Sequence, residues 1–221
     1  MVLLLAALVG CRTGSPMPTL PVPEREARAS AEAALARTRP SEPTEILFGF
    51  RVREADLRLG GRGIARMEPP YRVRLDLFSG GGETIFQAAL VEGSLRIPPW
   101  APRELAPPPA LLWAAFGVFR PDPDLDFCEG RKGSENGLAL HYGGQDDLEL
   151  RFLIEGGHLS RAELMKDGHL VEEVDLLLDE DTGSVLETVY RNHALFLELT
   201  FTLESVENVA SFPAGIWYPG R

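Results

Sequence analysis

Histidine, carboxylate and serine side chains are the usual carriers of catalytic chemistry, and this chain distributes them without a catalytic pattern. Its four histidines, His141, His158, His169 and His193, are scattered near predicted strand ends and turns, where surface positions are expected. There is no Gly-x-Ser-x-Gly elbow, no His-Glu-x-x-His pair and no phosphate-binding glycine loop. We therefore predict that the protein is not an enzyme and uses no cofactor, with a hydrolase of unrecognised site as the open alternative.

Two acidic runs could suggest metal binding. Asp122, Asp124 and Asp126 alternate as in a calcium loop, but the following glycine and the distal glutamate of an EF-hand are missing. The run from Asp179 to Gly183 has the same deficiency. Both runs are typical of solvated acidic loops, so the sequence predicts no metal site.

Cys11 is the residue whose context most clearly indicates a modification. The apolar run from Val2 to Gly10 is shorter than the ~20 residues of a spanning helix and fits a secretory signal. Leu8-Val9-Gly10-Cys11 resembles a bacterial lipobox, whose cysteine sulfur takes a diacylglycerol and becomes the mature N-terminus. We predict a signal peptide over 1–10 and a lipidated Cys11. A buried thiol in a core helix is the alternative, and the missing positive n-region leaves an upstream start open.

Prolines follow the cysteine at Pro16, Pro18, Pro21 and Pro23, which is typical of a flexible tether over 11–23. One domain over 24–221 is then expected. Because a lipidated Cys11 leaves Cys128 without a partner, neither an intrachain disulfide nor a cysteine zinc site is predicted.

Composition is that of a globular protein, with 44% hydrophobic and 25% charged residues. The formal net charge is −11, and no cluster of lysine or arginine offsets it. A chain of this charge repels nucleic acid, so nucleic acid is excluded as a partner.

Hydrophobic periodicity separates one surface helix from a run of strands. Residues 24–39 are rich in Ala, Glu and Arg and predict a helix with a thin apolar face, made by Ala27, Ala31, Ala34 and Leu35. From Glu45 onward the period becomes two, which indicates strands with one buried face. Tight glycine and Asp-Gly turns join the strands, so an antiparallel meander that curls into a partial barrel is expected.

The segment from Pro107 to Asp122 interrupts this pattern. Pro109 suits the first position of a helix, and Pro121 ends the apolar run. A helix over 110–119 would be apolar on every side and must be buried. We expect it to cross or fill the concave face of the sheet. A plain core helix under the sheet is the alternative.

Three stretches together resemble the LolA/LolB-like family of lipoprotein carriers and receptors. They are Pro70–Ile97, Leu111–Pro121, which resembles the family's helix of the form Leu-x-x-Trp-x-x-x-Gly followed by a proline, and the C-terminal meander with the turn Asp179–Val189. The resemblance covers about Glu24 to Pro219. It implies a mainly β (α+β) fold: a strongly curved antiparallel sheet, an incompletely closed barrel of about eleven strands, with an N-terminal helix and an apolar helix on the concave face.

The resemblance also implies a ligand and a place in the cell. Acyl chains of lipoproteins or lipids would bind in the apolar cavity. The protein would act in their transfer or insertion at the periplasmic face of the outer membrane, to which the Cys11 anchor would attach it. A periplasmic carrier protein would be a further partner. The alternative is an envelope interaction or sensor lipoprotein that docks a protein. The residues expected at the cavity and its lid are Leu111, Leu112, Trp113, Phe116, Val118, Phe119, Phe48, Phe50, Val73, Leu75, Phe86 and Leu95.

A protruding loop with an apolar tip is the last feature that the resemblance implies. The glycine-rich stretch Leu77–Gly82 offers Leu77 and Phe78 for this role. Strand alternation places Leu77 on the cavity face and Phe78 on the opposite face. Phe78 is therefore expected either to project from the rim toward a membrane or cargo chain, or to pack against the N-terminal helix.

Overall fold

A computed structural model describes residues 17–55, 57–133 and 137–220, without the side chain of Glu104. The signal peptide and Cys11 therefore lie outside the described residues. Two α-helices are present in the described part, α1 (Glu24–Thr38) and α2 (Pro109–Ala114), with short 3-10 helices at Arg103–Leu105 and Ala214–Trp217. The strands are β1 (Leu20–Val22), β2 (Thr44–Glu54), β3 (Leu57–Glu68), β4 (Arg72–Ser79), β5 (Thr84–Val91), β6 (Ser94–Arg96), β7 (Asp126–Lys132), β8 (Leu138–Gly143), β9 (Leu148–Glu155), β10 (His158–Lys166), β11 (His169–Leu178), β12 (Val185–Asn192) and β13 (Leu197–Asn208).

The strands form one curved, antiparallel sheet that does not close. The order is β1-β7-β8-β9-β10-β11-β12-β13-β2-β3-β4-β5-β6, which gives 13 strands with β1 and β6 at the edges. The predicted fold class is confirmed. The count exceeds the expected eleven, and both edge strands are only three residues long. The strand β13 pairs with β2 along its whole length and so joins the two halves of the meander.

Strand alternation sets the buried face as the sequence predicts. Ile46, Phe48, Phe50 and Val52 of β2 are each no more than 6% exposed. Val73, Leu75 and Leu77 of β4 are each no more than 1% exposed. These residues share one hydrophobic core with the residues of α2. The concave face is therefore the apolar face of the sheet.

The helix α2 lies on this concave face but is shorter than predicted. It spans Pro109–Ala114, with proline at its first turn, whereas the apolar run predicted 110–119. Gly117 adopts a φ of +74°, and the amide of Val118 donates to the carbonyl of Trp113 at 3.1 Å. A left-handed glycine of this kind ends a helix, so the chain leaves the helical path before Val118. Trp113 is 1% exposed.

The helix α1 covers the sheet at β7 and β10. Its alanines Ala27, Ala31 and Ala34 are buried, while Leu35 is 37% exposed. Gly130 of β7 permits this close approach, because a Cβ there would lie 2.4 Å from the Cβ of Ala27. The helix thus occupies the surface position that its thin apolar face predicts.

Part of the predicted tether is ordered as a strand. Leu20–Val22 form β1 and pair antiparallel with Gly130–Lys132 of β7. Pro21 is tolerated because an edge strand can leave one backbone position without a donor. The expected tether over 11–23 is therefore corrected for residues 20–22, which extend the sheet.

The outer face of β4 and β5 is covered by the C-terminal segment. Trp217 packs on Ala89 and Val91, and the Arg74 guanidinium donates to the carbonyl of Ile216. Asp76 is only 2% exposed beneath this cover. Its carboxylate accepts hydrogen bonds from Arg66, Arg74 and Gln87 at 2.7–3.1 Å, which compensates its desolvation.

Gly63 should be sensitive to the smallest substitution. A Cβ at Gly63 would lie 2.2 Å from the ring of Phe48 and 2.9 Å from Leu77. We expect Gly63→Ala to lower the free energy of unfolding by about 1–3 kcal/mol through overpacking, as measured by urea denaturation. Gly80→Ala is the matched control, since a Cβ there meets nothing within 4 Å. Equal stabilities of the two variants would contradict the close packing.

Candidate functional site

An apolar pocket of about 280 Å³ opens where the turn after α2 leaves the sheet uncovered. One wall is formed by strands β2, β3 and β13 through Ile46, Phe48, Met67, Phe201, Leu203 and Val206. The opposite wall comes from β10, β11 and β12 through Leu159, Leu178, Val185 and Leu186. Ala115, Phe116 and Gly117 of the turn form the third side.

Three phenylalanine rings form an aromatic cluster in the pocket wall. Phe48 and Phe201 meet edge to face with ring centroids 4.8 Å apart. Phe116 stacks on Phe201 at 6.1 Å with an interplanar angle of 8°. Phe48 and Phe201 are buried, whereas Phe116 is partly exposed. These separations are favourable for aromatic pairs, so the cluster presents a fixed apolar surface to the pocket.

Two threonines hold the turn that forms the third side. The Thr188 hydroxyl of β12 donates to the carbonyl of Ala115 at 2.7 Å. The Thr38 hydroxyl at the end of α1 accepts from the amide of Phe119 at 2.9 Å. Gly117 lies so close to β12 that a Cβ would be 2.9 Å from Val185. Because these bonds satisfy the backbone after α2, the pocket is kept open rather than filled by a further helical turn.

The mouth of the pocket combines exposed apolar side chains with a few polar ones. Leu186 is 42% and Val206 is 53% exposed. The polar lining residues are Arg37, Thr38, Thr44, His158, Ser184 and Thr188, and none of the described aspartates or glutamates lines the pocket. A site with these walls can bury an apolar chain but supplies no cluster of acids and bases for catalysis.

Of the residues predicted at the cavity and its lid, Phe48 and Phe116 line this pocket. The others do not. Leu95 packs, partly buried, against the core. The remainder are buried inside the core, each no more than 3% exposed: Leu111, Leu112, Trp113, Val118, Phe119, Phe50, Val73, Leu75 and Phe86. The reason is that α2 fills the middle of the concave face, so that the wall and lid residues pack against one another.

The pocket residues that the sequence prediction missed come mostly from one end of the sheet. Ile46 and Leu203 show the inward alternation that a buried face requires. Leu178 and Leu186 flank the acidic turn before β12, where no pattern marks them. Alternation identifies the inward face of a strand but does not show where the helix stops covering that face. Gly117 was the available signal for the end of the helix.

The predicted protruding loop is a strand end instead. Leu77 and Phe78 both belong to β4, and the turn itself begins at Gly80. Leu77 is fully buried and Phe78 is half-buried. Phe78 pairs with Arg62 and Thr84, with a register shift between Leu77 and Phe78. The expectation that Phe78 projects freely from the rim is therefore corrected.

The histidines do not form catalytic pairs in the described part of the chain. His141 Nδ1 lies 2.9 Å from Glu149 and 3.5 Å from Glu129, and burial lowers the pKa of His141 below its ordinary value. His193 lies 3.3 Å from Glu173. Among residues 17–55, 57–133 and 137–220, no serine, threonine or cysteine side chain hydrogen-bonds to a histidine, and no cluster of His, Cys, Asp or Glu could hold a metal.

A second cavity, of about 360 Å³, lies beside His141 and is polar. Its charged lining residues are already paired: Arg131 with Glu129, and Arg151 with Glu149. Met17, Pro18 and Thr19 line its other side. Most of the residues that line this cavity are charged or polar. The pocket after α2 is therefore the better candidate site.

Comparisons with known proteins agree with the fold. No protein-family model and no curated protein matches the sequence. A LolA superfamily protein from Nitrosomonas europaea has a similar structure, with a TM-score of 0.57 and 10% identity over 86% of this chain and 96% of that one. A DUF1329 family protein from Desulfovibrio piger has a TM-score of 0.50 and 7% identity over 91% and 98%. At such identities the likeness shows a shared LolA-like open-barrel fold.

The two sides of β4 should respond differently to a charge. Leu77→Glu would place a carboxylate in the apolar core without a partner, so we expect loss of the folded state. Phe78→Glu leaves its carboxylate at the half-exposed outer face, so we expect a folded protein with a smaller loss of melting temperature. Thermal unfolding followed by circular dichroism measures both. An equal loss in the two variants would show that Phe78 is as much a core residue as Leu77.

Proposed function

We propose that this protein binds an acyl chain of a lipid or lipoprotein in the pocket after α2 and acts in lipid or lipoprotein transfer or insertion at the outer membrane. The observation that carries the proposal is the apolar pocket itself. It lies on the concave face, is walled by aliphatic and aromatic side chains, and has no carboxylate of the described residues in its lining.

An acyl chain has no polar groups, so apolar area is the only means of binding it. Each Å² removed from water contributes about 25 cal/mol. The aromatic cluster of Phe48, Phe116 and Phe201 offers such area in fixed positions. At about 280 Å³ the pocket is near the lower end of known ligand sites, which span about 300–1,000 Å³. One chain therefore fits better than several, with its polar end at the mouth beside Arg37 and His158.

The fold and the sequence point in the same direction. The solved structure from Nitrosomonas europaea is named a LolA superfamily protein, and three stretches of the present sequence resemble LolA/LolB-like carriers and receptors. Glu68-Pro69-Pro70 stands where soluble LolA-type carriers have Arg-Pro, which favours a receptor of the LolB type or a sibling. A periplasmic carrier is the partner that such a receptor needs.

A lipid anchor at Cys11 completes the proposal. The segment from Cys11 to Leu20 spans at most about 30 Å when fully extended. An anchored domain would therefore stay close to the bilayer surface. Arg12 follows the cysteine, which favours the periplasmic face of the outer membrane over retention at the inner membrane. None of the described helices is long and apolar enough to cross a membrane.

Acyl binding is tested with a fluorescent fatty acid that unlabelled palmitate displaces. Leu186→Glu removes apolar area from the pocket mouth and adds a carboxylate, so we expect about tenfold weaker binding. Leu35→Glu is the matched control, since Leu35 is exposed to a similar degree on α1. Failure of the wild-type protein to bind the fatty acid would contradict acyl binding and favour a protein-docking role. An equal loss in both variants would place binding outside the pocket.

Anchoring is tested by fractionating cells that produce the wild-type chain or Cys11→Ser. We expect the wild-type protein in the outer membrane fraction with an intact mass that includes acyl groups, because two or more chains give stable anchoring. The Cys11→Ser protein should keep an unmodified N-terminal region. A wild-type chain that remains soluble with an unmodified Cys11 would refute the anchor.

A further inference from the structure

Three large apolar side chains project into solvent at the rim opposite the pocket. Leu57 is 53%, Leu195 is 42% and Phe196 is 82% exposed. Leu57 opens β3 after the β2–β3 turn, while Leu195 and Phe196 lie in the turn between β12 and β13. We name these three residues the apolar tip.

Strand register brings the two turns together. Glu54 at the end of β2 pairs with Leu57 on one side and with Leu197 on the other. Leu57 and Leu197 are therefore two strand spacings, or about 10 Å, apart. Neither Leu57 nor Phe196 is among the side chains that pack against the described core. The apolar tip is thus a single protruding surface made by two adjacent hairpins.

The backbone at the tip is unusual for a side chain as large as phenylalanine. Phe196 has a φ of 52°, and Ala55 in the neighbouring β2–β3 turn has a φ of 43°. Bulky side chains rarely adopt this left-handed region, and such conformations persist where the surrounding structure imposes them. The flanking pairings of β13 with β12 and with β2 do so here. The turn therefore presents the Phe196 side chain outward rather than folding it onto the sheet.

Charged residues flank the tip on the outer face of the sheet. Arg51 and Arg58 are exposed, and neither forms an ion pair within the described part of the chain. Arg53 pairs with Glu198 at 3.5 Å, and Glu198 also contacts Arg191. Glu54 ends β2, and Asp56 follows it in the sequence. Two arginines that form no ion pair with the described residues, beside an apolar tip, suit a surface of phosphate groups over hydrocarbon.

We propose that the apolar tip inserts into the interface of an anionic phospholipid bilayer, with Arg51 and Arg58 at the lipid phosphates. A stable protein interface needs about 800 Å² from each partner, and three side chains on a narrow rim are too few to supply it. A bilayer accepts a protruding tip without a shaped counterpart. This contact is separate from the acyl pocket, which opens at the other rim.

The test uses a label that reports on the tip alone. In a full chain carrying Cys11→Ser and Cys128→Ser, Leu195→Cys is labelled with the environment-sensitive fluorophore NBD. Vesicles of phosphatidylcholine with phosphatidylglycerol should shift its emission to shorter wavelength. Adding Phe196→Glu should weaken this vesicle binding by about 10- to 100-fold, the loss expected for one buried phenyl ring. The same label at Leu20→Cys, a more exposed site on β1 (65% against 42% for Leu195), should show no shift.

Any of three results would overturn the proposal: no shift of the label at position 195, an equal shift at position 20, or an unchanged shift after Phe196→Glu. Unchanged melting temperatures show that the variants are folded. Because no fatty acid is present in this experiment, failure of the acyl pocket to bind its ligand leaves the result unaffected.

Discussion

The path of the chain between β6 and β7 is the constraint on which the rest of the structure depends. The strand β6 is one edge of the sheet, and β7 lies beside the other edge strand, β1. The connection must therefore cross the sheet, and the concave face is apolar. The segment that makes the crossing is the one with apolar residues on every side, from Ala110 to Phe119. Burying this segment removes its side chains from water and at the same time gives a strongly curved sheet a filled interior.

The same crossing creates the candidate site. The helix α2 covers the middle of the concave face, but Gly117 turns the chain away before the last part of that face is covered. Thr38 and Thr188 then satisfy the backbone of the turn, so that it does not need to continue as a helix. What remains is a pocket walled by the core of the sheet. The candidate site of this half-barrel is thus the portion of the hydrophobic face that the protein's own helix leaves uncovered.

Charged side chains organise much of the outer face, and the C-terminal segment adds the apolar contact of Trp217 with Ala89 and Val91. Asp76 is buried among Arg66, Arg74 and Gln87, beneath the C-terminal segment. Arg191 links Glu173, Asp175 and Glu198 across three strands. Such networks link neighbouring strands on the face of the sheet that points away from the main core. At the apolar tip, by contrast, Leu57, Leu195 and Phe196 are exposed.

The sequence by itself determined the meander of strands from β2 onward, its inward faces, the surface helix α1 and the burial of the Trp113 segment, because each depends on a local period that side-chain spacing displays. It did not give β1, which lies in the predicted tether. It also determined the absence of recognised catalytic motifs. Only the tertiary structure decided which inward residues line a pocket, because that depends on where α2 ends relative to strands distant in the chain. Trp113 and Leu203 look alike as apolar residues, yet one is enclosed and the other faces open space. The exposure of Phe196 and the burial of Asp76 were likewise decided by neighbours from other segments, which no local pattern records.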